Sequence, residues 1–272
     1  MTAQLGIVSD ELARDFREAV RMGTPLGIRR YEVRSLAAGR APMCGDAAMR
    51  EAEEIARGEG IEITALSPGL FKFTDCERAF QREMAEVYPR AAEWARRWGL
   101  PGLIVFGFHK PGVTEANFAE FAGAGPGPEV RAWLEEAARR AAADGLTLMI
   151  EPEPICWCDT GRAAARLIAG LENVRINYDP GNVAWLTNAD PADEFDAVAP
   201  YIANVHVKDI RPVAGAPEWV PAGEGIVDWA AQFRGLKAIG YEGPVSLEPH
   251  MDSSAAAARR CKEAVERLRA GV

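Results

Sequence analysis

Three features of this 272-residue chain predict a single α/β domain, 1–272, folded as a (β/α)8 barrel. Short runs rich in Val, Ile and Leu recur along its whole length. Each is followed by a longer stretch with helical periodicity. Eight such pairs divide 272 residues into units of roughly 34, the size of one strand–helix repeat.

The first run is Leu5–Val8, followed by a helix that Ser9 or Asp10 can cap. Gly27–Val33 comes next, with a helix from Gly45–Asp46 to Gly58 or Gly60. Ile61–Leu66 precedes a long helical stretch from about Cys76 to Gly99. Gly102–Phe106 is the fourth run, its helix Glu129–Ala143 ending before Gly145. The second half repeats the rhythm: Leu146–Glu151 with a helix over Thr160–Ala169, and Val174–Asp179 with one near Ala192–Val198. Tyr201–Val207 precedes Asp228–Gly240, and Pro244–Glu248 precedes Ser253–Ala270. A doubly wound open sheet competes with this reading. It usually carries a glycine-rich phosphate turn after its first strand, where this chain reads IVSDEL. The barrel is therefore preferred. The long segments Phe121–Pro128 and Arg211–Gly225 are expected to be loops, and loops that follow strands gather at the face where barrels build active sites.

Composition narrows the function classes. Lys and Arg number 31 against 40 Asp and Glu, a net charge of −9 with no basic stripe, which counts against nucleic acid. No run of eighteen apolar residues is present, so no membrane helix is expected, and the N-terminal residues lack the pattern of a secretory signal. Five cysteines do not read as a disulfide framework, which suggests a reducing cytoplasm.

Four residues stand directly after apolar runs: Glu151 in LMIEPEP, Asp179 in INYDPGN, His206 in NVHVKD and Glu248 in VSLEPH. A charge placed there is costly unless it is paired or binds a metal. A lone acid after a strand is more often a helix cap, and Asp179 suits a turn through Pro180–Gly181. Four such residues on four successive units instead point to one site. Three carboxylates and an imidazole suit Mn²⁺ or Mg²⁺, with Zn²⁺ or Co²⁺ also compatible. Strand alternation sets Glu153 beside Glu151, Lys208 beside His206 and His250 beside Glu248, as candidates for contacting substrate. Phe71, Phe106, Phe108, Trp157, Trp185 and Trp219 are candidate pocket aromatics, and Cys156 and Cys158 in ICWC read as accidental neighbours rather than a redox pair.

The ordered motifs IEPEP, YDPGN, HVKD and GEGIVDW…GYEGPVSLEPH make the chain resemble the xylose isomerase-like barrels, the sugar phosphate isomerase/epimerase group, over nearly its whole length. The resemblance implies a divalent metal held by Glu151, Asp179, His206 and Glu248, with Glu151 and Glu248 shuttling a proton through an enediolate. It also implies a small-molecule sugar as partner. The chain departs from several members, with Asn182 where a histidine is frequent and Pro212 where an arginine is, Arg211 standing next to it. Asn182 and Arg211 are therefore candidate substrate contacts. Only His109, His206 and His250 are available, too few for the endonucleases of the group. A metal-dependent isomerase or epimerase of a ketose-like sugar or polyol derivative is the leading reading, with a lyase or dehydratase of a keto-sugar or keto-glycoside as alternative. A sugar-binding barrel without catalysis is the third. A non-phosphorylated substrate is favoured, and the sequence leaves both a monomer and a homo-oligomer open.

Overall fold

The computed structural model describes residues 4–213 and 218–272. Eight parallel strands form one sheet: Gln4–Val8, Arg30–Val33, Glu62–Leu66, Gly102–Phe106, Thr147–Glu151, Val174–Tyr178, Ile202–Val207 and Pro244–Leu247. Counted along the chain, their spatial order is 3-2-1-8-7-6-5-4, so the first strand pairs with the last. The third and fourth lie against each other without a strand ladder and complete the (β/α)8 barrel.

Alternation along the strands sorts the core into two shells. Leu103, Val105, Leu148 and Ile150 pack outward under the helices, in the main core. Ile104 and Met149 point inward and meet Ala65 and Ala203 in a small apolar plug. Above it the interior turns polar: Glu32, Asn177, Asn204 and Ser246 are all buried. An apolar floor under a polar mouth puts the chemistry at the C-terminal end of the strands.

Side-chain caps start the helices where the sequence suggests. Thr160 Oγ1 accepts from Ala163 N at 3.1 Å, Asp228 Oδ1 from Ala231 N at 2.8 Å and Ser254 Oγ from Ala257 N at 3.0 Å. Ser9–Glu11 forms only a 3-10 turn, and the first α-helix, Phe16–Gly23, begins after Asp15, which accepts from Glu18 N. The second strand starts at Arg30 rather than Gly27, because Thr24–Leu26 is another 3-10 turn that ends on Gly27 at φ 73°. The stretch expected as one helix from Cys76 to Gly99 is two, Glu77–Glu86 and Tyr88–Arg97, with Pro89 in the first turn of the second.

A helix the periodicity does not reveal, Pro180–Thr187, follows the sixth strand immediately. Six of its eight residues are buried, so it has no polar face for a pattern to show. The segment after the seventh strand contains a hairpin, Asp209–Arg211 with Glu218–Val220, and residues 214–217 of that expected loop lie outside the described residues. Among the described residues no helix is long and apolar enough to cross a membrane.

Glycine is required where the fourth strand starts. A Cβ on Gly102 would stand 2.1 Å from the Thr147 carbonyl oxygen of the neighbouring strand, a backbone atom that cannot turn aside. Gly102→Ala is therefore expected to cost about 3 kcal/mol. A thermal melt is expected to fall by about 5 °C or more, and an unchanged midpoint would show that the pairing of strands four and five tolerates the clash.

Candidate active site

Glu151 ends strand five, His206 is the last residue but one of strand seven, Asp179 and Glu248 directly follow strands six and eight, and all four are buried. One ligand atom from each lies within 4.8 Å of every other, so the structure brings together the set expected from the sequence. Asp179 performs two tasks with its two oxygens. Oδ1 caps the Pro180–Thr187 helix by accepting from Asn182 N at 3.1 Å, and Oδ2 faces the cluster 2.7 Å from Lys208 Nζ. Gly181 makes this approach feasible, since a Cβ there would stand 2.5 Å from Lys208 Cγ.

Glu32, in the second strand, is a site residue the sequence reading does not reach. It is fully buried, and its Oε2 lies 2.9 Å from His206 Nε2. A carboxylate can only accept, so Nε2 carries the proton and Nδ1 is turned to the carboxylates. Nδ1 lies 3.2 Å from Glu248, 3.7 Å from Glu151 and 3.9 Å from Asp179. A bare lone pair facing three carboxylates is repulsive, so that position calls for a cation, either the imidazolium proton or a metal ion. Burial opposes a charged ring, but Glu32, Glu248 and Glu151 together hold His206 well above its ordinary pKa.

The surrounding groups are matched to this charge. Asn182 Nδ2 donates to Glu151 Oε1 at 3.2 Å and to the Pro152 carbonyl at 2.8 Å, while Asn177 Nδ2 donates to Glu151 Oε2 at 3.1 Å. Asn204 Nδ2 in turn donates to Asn177 Oδ1 at 2.8 Å. Lys208 Nζ also lies 2.7 Å from Glu248, whose other oxygen is bound by Arg34. Burial alone would raise Glu248, yet Lys208, His250 and His206 hold it well below the usual carboxylate range. Asp179 behaves oppositely: burial pushes it up to about 6 against the pull of Lys208.

The donor set fits a divalent cation. It offers three carboxylates and one oriented imidazole nitrogen, and Asp179 Oδ2 is a buried oxygen that meets Lys208 without receiving a hydrogen bond of good geometry. Acids also outnumber bases around it. Asp10, Glu11, Glu32 and Glu153 join the three ligand carboxylates, against Arg34, Arg40, Lys72 and Lys208.

The remaining candidates divide. Glu153 is buried and paired with Lys72 at 2.9 Å, and Lys72 sits 4.9 Å above the Phe106 ring. His250, at φ 52°, is held to Glu11 through its backbone N–H and Nδ1, with Nε2 3.4 Å from Lys208 Nζ. Arg211 is not brought to the cluster. Its guanidinium pairs with Glu218 across the exposed hairpin at 2.7 Å and donates to the Glu224 carbonyl. His109 packs against Phe73 on a loop.

Of the aromatics, Trp219 meets His250 at 5.1 Å and lies under Lys208, with Trp185 behind it. Phe71 and Phe108 instead stack on each other in the core at 4.6 Å, and Trp157 lines a separate cavity with Asp159 and Arg166. Cys156 and Cys158 are buried free thiols, both raised by burial. Asp209, unremarked inside HVKD, accepts backbone N–H groups of Ile210, Gly223, Gly225 and Val227 and so fixes the loop that carries Trp219.

With this geometry in place, the chain can be set beside known proteins. The xylose isomerase-like TIM barrel family matches residues 26–271, and the chain belongs to that family. Among individual relatives it is similar to a putative L-ribulose-5-phosphate 3-epimerase, UlaE, of Shigella dysenteriae. That match is 29% identical over 172 residues and covers 62% of this chain and 57% of the relative's length. Among solved structures, a xylose isomerase-like barrel of Mycobacterium smegmatis in complex with magnesium has a TM-score of 0.72 at 19% identity, covering 94% of this chain and 88% of the other. A D-allulose 3-epimerase of Methylomonas sp. has a TM-score of 0.73 at 18% identity, covering 98% of each. At those identities the structural likeness is one of fold.

Calorimetric titration of the metal-free protein with Mn²⁺ is expected to show one cation per chain. Glu32→Gln, which keeps the side chain's size and removes its charge, is expected to weaken that binding about tenfold or more. Equal affinity in the variant would show that Glu32 does not govern the imidazole.

Proposed function

We propose that the protein is a divalent-metal-dependent epimerase or isomerase of a ketose-like sugar or polyol derivative. The carrying observation is the convergence of Glu151, Asp179, His206 and Glu248 within 4.8 Å at the ends of four consecutive strands. Support also comes from the similarity to a protein named as a putative L-ribulose-5-phosphate 3-epimerase.

Mn²⁺ or Mg²⁺ held by these four side chains would supply positive charge that acidifies a carbon–hydrogen bond beside a carbonyl. The proton work falls to the protein. Glu151 and Glu248 stand on the two outer strands of the set, strands five and eight. One carboxylate takes the proton from carbon, and the electron pair moves into the carbonyl to give an enediolate. The other returns a proton to that carbon from the opposite face, or to its neighbour, which gives the epimer or the isomer. Their surroundings suit this division. Glu248 is held anionic by Lys208 and Arg34, and Glu151, which His206 also lowers, receives two neutral amide donors, Asn177 and Asn182. Lys208 places a fixed ammonium where negative charge develops on the substrate oxygens. Trp219 offers an apolar wall beside it.

The test is incubation of the Mn²⁺-loaded protein with L-ribulose, L-ribulose 5-phosphate or D-allulose in D₂O, followed by proton NMR. Deuterium is expected at one carbon, in an epimer or isomer of unchanged formula. Glu151→Gln and Glu248→Gln are each expected to slow exchange about 10²–10⁴-fold. Metal binding with unchanged turnover in both variants would remove the proton shuttle, and an unsaturated product would favour the lyase.

A further inference from the structure

Among the described residues, four Lys and Arg side chains stand around the mouth, and three are paired with acids. Arg34 is saturated: Nε pairs with Asp10 at 3.1 Å, Nη2 with Glu11 at 2.8 Å and Nη1 with Glu248. Lys72 pairs with Glu153, and Lys208 with Asp179 and Glu248. Arg40 differs. Its Nε donates to the Ser67 carbonyl at 2.9 Å and its Nη2 to Ser67 Oγ at 3.0 Å, and among the described residues no carboxylate pairs with it.

Its position is nevertheless fixed. Arg40 ends the hairpin formed by Ser35–Leu36 and Gly39–Arg40, and the next residue, Ala41, donates its N–H to the Arg34 carbonyl at 3.1 Å. The guanidinium lies against Gly69, where a Cβ would stand 3.2 Å from Nε and 3.4 Å from Cζ. Burial first, and the charge of Arg34 second, lower Arg40 to about 10, while Asp10, Glu151 and Glu248 pull the other way. Arg40 is thus a partly desolvated cation, set beside a second guanidinium and within reach of the catalytic carboxylates' field. A guanidinium so placed favours an anionic ligand. The Nε edge is committed to Ser67, and among the described residues Nη1 has no hydrogen-bond partner.

We infer that the substrate is a sugar acid and that Arg40 receives its carboxylate while Glu151 and Glu248 act on the carbonyl end. This inference rests on the isomerase reading for the second half of that statement only. A guanidinium with no carboxylate bonded to it can take a carboxylate monoanion, whereas a phosphate dianion needs more donors than this one group has left.

The experiment compares three ligands on one five-carbon frame, ribitol, D-ribonate and D-ribitol 5-phosphate, by calorimetry on the Mn²⁺-loaded protein. Ribonate is expected to bind about tenfold or more tighter than ribitol. Arg40→Gln is expected to bring ribonate down to the level of ribitol, and Arg40→Lys to retain part of the difference. A ribonate preference that survives in Arg40→Gln would place the carboxylate elsewhere and overturn the inference. So would equal binding of ribonate and ribitol, or an Arg40-dependent preference for the phosphate. Arg40-dependent ribonate binding without deuterium exchange on any ketose or keto-sugar acid would leave this subsite standing and sink the isomerase reading alone.

Discussion

Three buried carboxylates within touching distance of one another repel, and the upper half of this barrel is arranged around that repulsion. Glu151, Asp179 and Glu248 are each met by a donor or a cation. His206 turns Nδ1 toward them because Glu32 takes Nε2. Lys208 spans Asp179 and Glu248, and Arg34 closes the far side of Glu248. Burial makes each of these interactions stronger than it would be in water, and leaves any unmatched charge correspondingly costly.

The fold delivers these groups through local devices. Parallel strands aim their ends at one mouth, and alternation along each strand decides which residues enter it. Asp179 ties the sixth strand to the helix that follows by capping it, so the residue that faces the cluster also fixes the direction of the chain beyond it. Gly181 brings that helix down onto Lys208. Asp209 gathers four backbone N–H groups and thereby sets the loop whose Trp219 covers the lysine.

Much of this is legible in the sequence, and unequally so. The strands announce themselves as apolar runs, and acids set directly after them mark the mouth of strands five to eight. Helix Pro180–Thr187 is hidden because burial on nearly all sides removes the polar face that periodicity depends on. The first half of the site is hidden for another reason: Arg34 meets Glu248 across 214 residues, and His206 meets Glu32 across 174. No local pattern encodes such partners. One signal was present. In RYEVRS the charges at Glu32 and Arg34 alternate with Tyr31 and Val33, which is the period of a strand with one face turned to a polar interior. Arg211, a candidate because it stands next to the position where related barrels carry an arginine, is drawn outward by the hairpin that carries it, and a guanidinium without a carboxylate partner among the described residues lies after the second strand instead.

The most direct measurement of the central claim is anomalous scattering from a crystal soaked in Mn²⁺. The account predicts a single strong peak bounded by Glu151, Asp179, His206 Nδ1 and Glu248, with Glu32 still on His206 Nε2. A peak elsewhere, with Lys208 remaining between Asp179 and Glu248, would contradict it and make these four side chains a closed ion-pair network instead of a metal centre.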